Sequence, residues 1–298
     1  MATMAMPARE SSPRAGRTTG VHAAPKTTGE VWTHRAKLAI CTARRLLAWR
    51  LFPSSWPAAD LPDASASLSL PHLVYEERIP IARSDGAADP TLERGKLVNV
   101  ALAAPYFDGI VLSPGAPLSF WRTLGRITAR RGYQYGMELR GGCIVPALGG
   151  GICLLSNALF EMAARLGWTI LERHGHSMDA GMTPRGLWGM DATVLWPHVD
   201  LRIAPAEGVA RLRARVSDGE LRLAVEAEVP RRADVRLFTR GERHEAPFRE
   251  NLIVRAIGER EEVVATNRKR VLVGVAQRRS CLTCDETSCR DRVVPGRA

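Results

Sequence analysis

The chain has 298 residues, 45% hydrophobic and 24% charged, which supplies a core for one large domain or two small ones. Its net charge of +11 is uneven: nine Lys and Arg against two acids give residues 1–52 a charge of +7, leaving +4 for the rest. A near-neutral remainder excludes a nucleic-acid-binding globular part.

No run of about 18 apolar residues is present to span a bilayer, and the N-terminus lacks the apolar block of a secretory signal. Six cysteines are too few for a secreted disulfide scaffold of this length. The expectation is therefore a cytoplasmic protein in a reducing compartment, peripheral to the membrane at most.

Residues 1–30, rich in Ser, Thr, Pro, Gly and Arg, are expected to be a disordered basic tail. "VWTHRAKLAICTARRLLAWRLF" (31–52) reads as a basic amphipathic helix. Such a helix either packs on its own domain or lies on an anionic membrane surface. Little of the periodic apolar pattern lies in residues 1–52, so folding is expected to survive their removal. Four prolines and several serines mark 53–71 as a linker, and a domain follows over 72–277.

Within it, Asp89-Pro90 is a helix start, a capping side chain followed by proline in the first turn. "GIVLSPGAPLSF" (109–120) reads as strand, Pro114-Gly115 turn, strand. Leu155, Leu159, Met162, Ala163 and Leu166 follow helical spacing after Cys153, and Gly167 stops that helix. "WTILER" (168–173), "DATVLW" (191–196) and "VDLRIA" (199–204) read as strands. From 209 onward long alternating runs flank Ser217-Asp218-Gly219, a hairpin signal, and further strands are expected at 250–256, 261–266 and 270–275. The fold class is α+β: a mixed half whose Gly-rich loop leads into a helix, then a β-rich antiparallel half with one polar face.

"GGGICLLSNALF" (149–160) places a thiol at a helix start directly after three glycines. Unsatisfied N–H groups and the positive end of the helix dipole favour thiolate at Cys153. Gly149, Gly150 and Gly151 allow close approach of a substrate, and their N–H groups are candidates to hold an oxyanion. The plainer reading is a tight strand-to-helix turn. A nucleophilic thiol needs a proton partner. "ERHGHSMD" (172–179) offers His174 and His176, of which His176 is the expected base, and Asp191 the orienting acid. No Lys-Ser or Lys-Thr follows the glycines, so a Walker-type phosphate loop is excluded. Residues 278–298 form a tail whose Cys281, Cys284 and Cys289 have the spacing of zinc or iron–sulfur ligands but no histidine nearby as a fourth. The other reading is a flexible tail of reactive thiols. The main site calls for no cofactor.

These segments resemble the VanW family, named for an accessory protein of vancomycin-resistance clusters. The resemblance runs over about residues 75–275 and rests on "SPGAPLSFWRTLGRITARRGY" (113–133), the glycine–cysteine motif, "ERHGHSMD", "GMDATVLWPHVDL" (189–201) and "FRENLIVR" (248–255). Leu154 stands where the family usually has Gln. Some members are similar in activity to L,D-transpeptidases, which crosslink peptidoglycan stem peptides through a cysteine acyl-enzyme. The resemblance thus implies a cell-wall stem peptide or its precursor as partner, Cys153 as nucleophile and His176 as base. Asp191 as orienter is read from the sequence order. Gly150, Gly151, Asn157 and Arg173 fall in or beside the shared motifs as substrate-binding candidates. The competing reading is a non-enzymatic accessory or binding protein in which Cys153 is structural.

Overall fold

The computed structural model describes residues 28–53, 68–82, 89–140, 143–179, 186–232 and 234–271. Most of the expected tail and linker, and all of 278–298 with Cys281, Cys284 and Cys289, lie outside them. The architecture is α+β, with helices against mostly antiparallel sheet.

Helix α1 (Thr28–Leu51) is followed by strand β1 (His72–Pro80) and helix α2 (Pro90–Ala103). Asp89 caps α2 by accepting from the Thr91 and Leu92 amides at 2.8 and 3.3 Å, with proline at the first helical position. β2 (Val111–Leu112) and β3 (Leu118–Ser119) flank the Pro114-Gly115 turn, then part company to join different sheets. Short helix α3 (Phe120–Leu124) is capped by Ser119, whose hydroxyl also donates to the buried Asp200. β4 (Tyr135–Arg140) and β5 (Cys143–Leu148) pair as a ribbon, and helix α4 (Cys153–Arg165) follows. β6 (Thr169–Glu172), β7 (Met178–Asp179) and β8 (Arg202–Ala204) are short.

The hairpin of β9 (Ala210–Ser217) and β10 (Glu220–Ala227) turns through Asp218 and Gly219 at φ 56° and 76°. Two positive φ values make the two-residue turn that matches strand twist, and glycine takes the second at no steric cost. Side chains of β10 alternate between buried and half-buried along its length, which is the polar-out pattern of a sheet with one covered face. β11 (Val235–Glu245), β12 (Phe248–Ile257) and β13 (Arg260–Val271) are the last elements of the described residues. Sheet orders are β1-β10-β9-β2, β11-β12-β13-β7, β3-β8-β6 and β4-β5, and only the β13–β7 pairing is parallel.

One core runs through the molecule. The face of α4 made by Leu155, Leu159, Met162 and Ala163 is fully buried and meets Phe107, Phe120, Leu212, Leu223 and Ile253 in a single cluster. Trp49, near the end of α1, belongs to the same cluster and stacks edge-on against Trp196 at 5.4 Å. Beside it, Arg45 forms a bidentate pair with Glu172 on β6 at 3.0 and 2.5 Å and donates to the His198 carbonyl. α1 therefore packs on its own domain, and the expectation that residues 1–52 are dispensable for folding is corrected.

Two other readings change. Residues 191–196 form no strand, only a bridge from Leu195 to Val199. Their backbone bonds are scattered instead, the Asp191, Thr193 and Leu195 amides donating to the Gly189, His174 and Val199 carbonyls and the groups between them bonding to side chains. The break expected before residue 270 is also absent, since β13 runs unbroken to Val271. β11 escapes the alternation pattern because most of it is exposed, so sheet pairing rather than a buried stripe defines it.

Trp49→Ala should cost about 3 kcal/mol or more, as for removal of a large buried aromatic, read as a lower midpoint in denaturant. Ile40→Ala, on the outward face of the same helix, should stay within about 0.5 kcal/mol of the parent protein.

Candidate active site

Cys153 opens α4 with no side chain capping the helix, and the Leu154 and Leu155 amides donate instead to the Gly151 and Ile152 carbonyls at 3.1 and 3.0 Å. The turn before it is built by close packing. Gly149 and Gly151 hold φ values of 76° and 93°. A Cβ on Gly150 would come within 2.4 Å of the Gly136 carbonyl group, and one on Gly151 within 2.2 Å of the Lys96 side chain. The Gly149 and Gly150 amides donate to Gln134 and Ala147 carbonyls, both at 2.9 Å. Asn99, fully buried on α2, donates to the carbonyl of Gly150. The oxyanion role expected of Gly150 is thus corrected: its N–H is already committed, and its missing side chain lets two backbones touch.

His176 is the neighbour that most lowers the Cys153 thiol pKa. Its Nδ1 lies 2.5 Å from Asp191 Oδ2, which leaves Nε2 for the thiol. Asp191 Oδ2 also accepts from the His176 amide at 3.2 Å, so one carboxylate oxygen fixes both ring and backbone. His174 is half exposed and turns away to Glu172. The structure brings Cys153, His176 and Asp191 together and leaves His174 outside.

Charge around Asp191 settles the protonation states. Burial pushes its pKa up, but the His176 hydrogen bond and the Lys269 ammonium outweigh it and hold the carboxyl well below the usual range. Lys269 Nζ lies 2.8 Å from Oδ2 and Arg173 Nη2 lies 2.9 Å from Oδ1, both side chains being almost wholly buried. Burial also disfavours the His176 cation, yet the bonds to Asp191 and Cys153 raise its pKa to about 9. The thiol of Cys153 is raised by burial and lowered more strongly by His176, the Val194 amide and Thr193, leaving it below its ordinary value. The Thr193 hydroxyl is 3.9 Å from the sulfur. Lowered thiol and raised imidazole are both shifts toward a thiolate–imidazolium pair.

The segment carrying Asp191 is held by side chains. Asn157 Oδ1 accepts from the Ala192 amide at 2.8 Å, and the Ser156 hydroxyl donates to the Ala192 carbonyl at 2.6 Å. Arg173 donates to the carbonyls of Asp191 and Gly189 and to Asn267 Oδ1, at 2.6, 2.7 and 2.8 Å. With its guanidinium bonded in this way, Arg173 positions the acid, and Asn157 likewise tethers the loop. Gly189 is required here, because a Cβ would fall 2.2 Å from the Asn267 amide nitrogen.

Sequence reasoning missed Lys269, Asn267 and Thr193. One signal was available for the first two: Asn267 and Lys269 share the strand parity of Ala265, and all three are buried while Arg268 and Arg270 face out. Among the described residues, no group of three His, Cys, Asp or Glu side chains is arranged to hold a metal ion, and no helix is long and apolar enough to cross a membrane.

Residues 95–225 match the family model described as VanW like protein. The chain is 29% identical over 137 residues to the vancomycin B-type resistance protein VanW of Enterococcus faecalis, covering 45% of this chain and 50% of that protein. It is 34% identical over 104 residues to the uncharacterized protein YoaR of Bacillus subtilis, covering 35% of this chain and 33% of the relative. The matched segments therefore span half or less of each relative's own length. No solved structure matches the chain.

The pair gives the fold a pH signature. His176 has a folded pKa near 9 against about 6.5 unfolded, so its proton adds stability that is complete below about pH 6.5 and lost as pH rises through 9. Asp191, depressed in the fold, adds stability that is present above about pH 3.9 and lost as pH falls. A proton NMR titration should place the His176 midpoint near 9. Asp191→Asn should lower it by about one unit or more, since the partner charge is removed.

Proposed function

We propose a function for a chain that belongs to the VanW family through residues 95–225: it acts on a peptidoglycan stem peptide, or its precursor, by cysteine acyl transfer resembling L,D-transpeptidation. One observation carries the reading, a helix-borne thiol whose pKa is lowered by an imidazole that is itself held 2.5 Å from a buried carboxylate. That arrangement suits nucleophilic attack on an amide carbonyl. The Cys153 thiolate adds to the donor carbonyl, and the His176 imidazolium protonates the leaving amine as the C–N bond breaks. A thioester remains. An acceptor amine then attacks it, giving its proton to His176 and restoring the thiolate. Asp191 keeps the ring oriented and stabilises its charge. The name of the E. faecalis relative supports a cell-wall substrate by its reference to vancomycin resistance.

Incubation of the protein with synthetic stem peptides should give a Cys153 acyl adduct in the intact-protein mass spectrum. Cys153→Ser should abolish it and reduce transfer by about 10³-fold or more, as for loss of a nucleophile, with the fold kept. Cys153 should also alkylate faster than the exposed Cys41 near neutral pH. Equal rates, with no adduct, would instead favour an accessory binding protein in which Cys153 is structural.

A further inference from the structure

We infer that α1 is a dual-faced helix whose outward stripe seats the domain on an anionic phospholipid surface. Leu38, Thr42, Arg45 and Trp49 follow helical spacing and form the inward stripe, half-buried or buried against the domain. Ile40, Ala43, Leu47 and Leu51 follow the same spacing two residues out of step, which puts them on the opposite side of the helix. There the three large side chains are each more than half exposed, as are Trp32 and Phe52. A cluster of exposed large apolar groups on one helix needs an occupant.

Charge selects which. Exposed Lys37, Arg44 and Arg50 border the stripe, and no Asp or Glu occurs between residues 31 and 53. A second copy of this chain would set these cations against their own kind, at a cost. A bilayer carrying anionic headgroups accepts both features, burying the apolar side chains below and pairing the cations at headgroup level. The inward stripe makes the arrangement rigid. Arg45 is bonded to Glu172 and Trp49 packs against Trp196, so the outward stripe has a fixed orientation relative to Cys153 and His176.

The test uses the full chain and vesicles of phosphatidylcholine, alone or mixed with phosphatidylglycerol, in a sedimentation assay. Binding should require phosphatidylglycerol and weaken with added salt. Leu47→Gln with Leu51→Gln should reduce it by about tenfold or more through lost apolar burial. Lys37→Gln with Arg44→Gln should reduce it by about tenfold through lost headgroup attraction. All four positions are exposed, so thermal midpoints and Cys153 alkylation should match the parent, which keeps this outcome separate from that of the acyl-transfer reading. Undiminished binding by either double variant, or no vesicle binding at all, overturns the inference. So does a dimer in solution that Leu47→Gln dissolves.

Discussion

A buried carboxylate at Asp191 is the constraint from which the rest of the site follows. Removing such a charge from water is tolerable only where partners and hydrogen bonds replace the lost hydration. Here Arg173, Lys269 and the His176 ring surround it, with the His176 amide as a further donor. Two of these cations come from distant parts of the chain, Arg173 just after β6 and Lys269 on β13. The acid thus ties together two sheets that share no ladder. Because its charge is secured from behind, the imidazole in front keeps its proton, and the thiol beyond it is drawn toward the anion.

The glycine turn solves a different problem. A helix N-terminus has to be delivered tightly against β4 and α2, and the distances at Gly150 and Gly151 leave no room for a Cβ. Asn99 then binds the carbonyl of Gly150 and that of Gln134 with its amide group, locking turn to ribbon. Leu154, following the cysteine, packs against the core with its aliphatic side chain. The thiol is placed by the backbone around it, while the lowering of its pKa comes from the histidine.

Much of this was legible because it is local. The Asp89 cap, the Asp218-Gly219 hairpin and the Cys153 helix each depend on a few adjacent residues, and a short stretch of sequence states them. Cys153, His176 and Asp191 were found by chemistry and order, though nothing in their spacing required them to meet. The internal bonds of Arg173, Asn157 and Gly150 were not legible, because each is made to a segment remote in sequence. Residues 191–196 have strand composition, but Ser156, Asn157 and Arg173 bond the Ala192 backbone and the Asp191 carbonyl, and the other amides go to separate loops, so no continuous ladder forms. Lys269 was invisible because its partner lies far away in sequence, on no common element.

That distance has a consequence for biosynthesis. The residues that complete the cation cage stand on the final described strand, so a ribosome delivers Cys153 long before it delivers Lys269. Until β13 docks against β12, the Asp191 carboxylate lacks one of its two buried counter-ions and has less reason to leave water. Local helix formation at α4 is fast, while pairing between remote strands is slow. The nascent chain therefore holds Cys153, His176 and Asp191 before it holds all the partners of the acid. Burial of that charge waits on the closing of the sheet, so the cluster is among the last features of the fold to be completed.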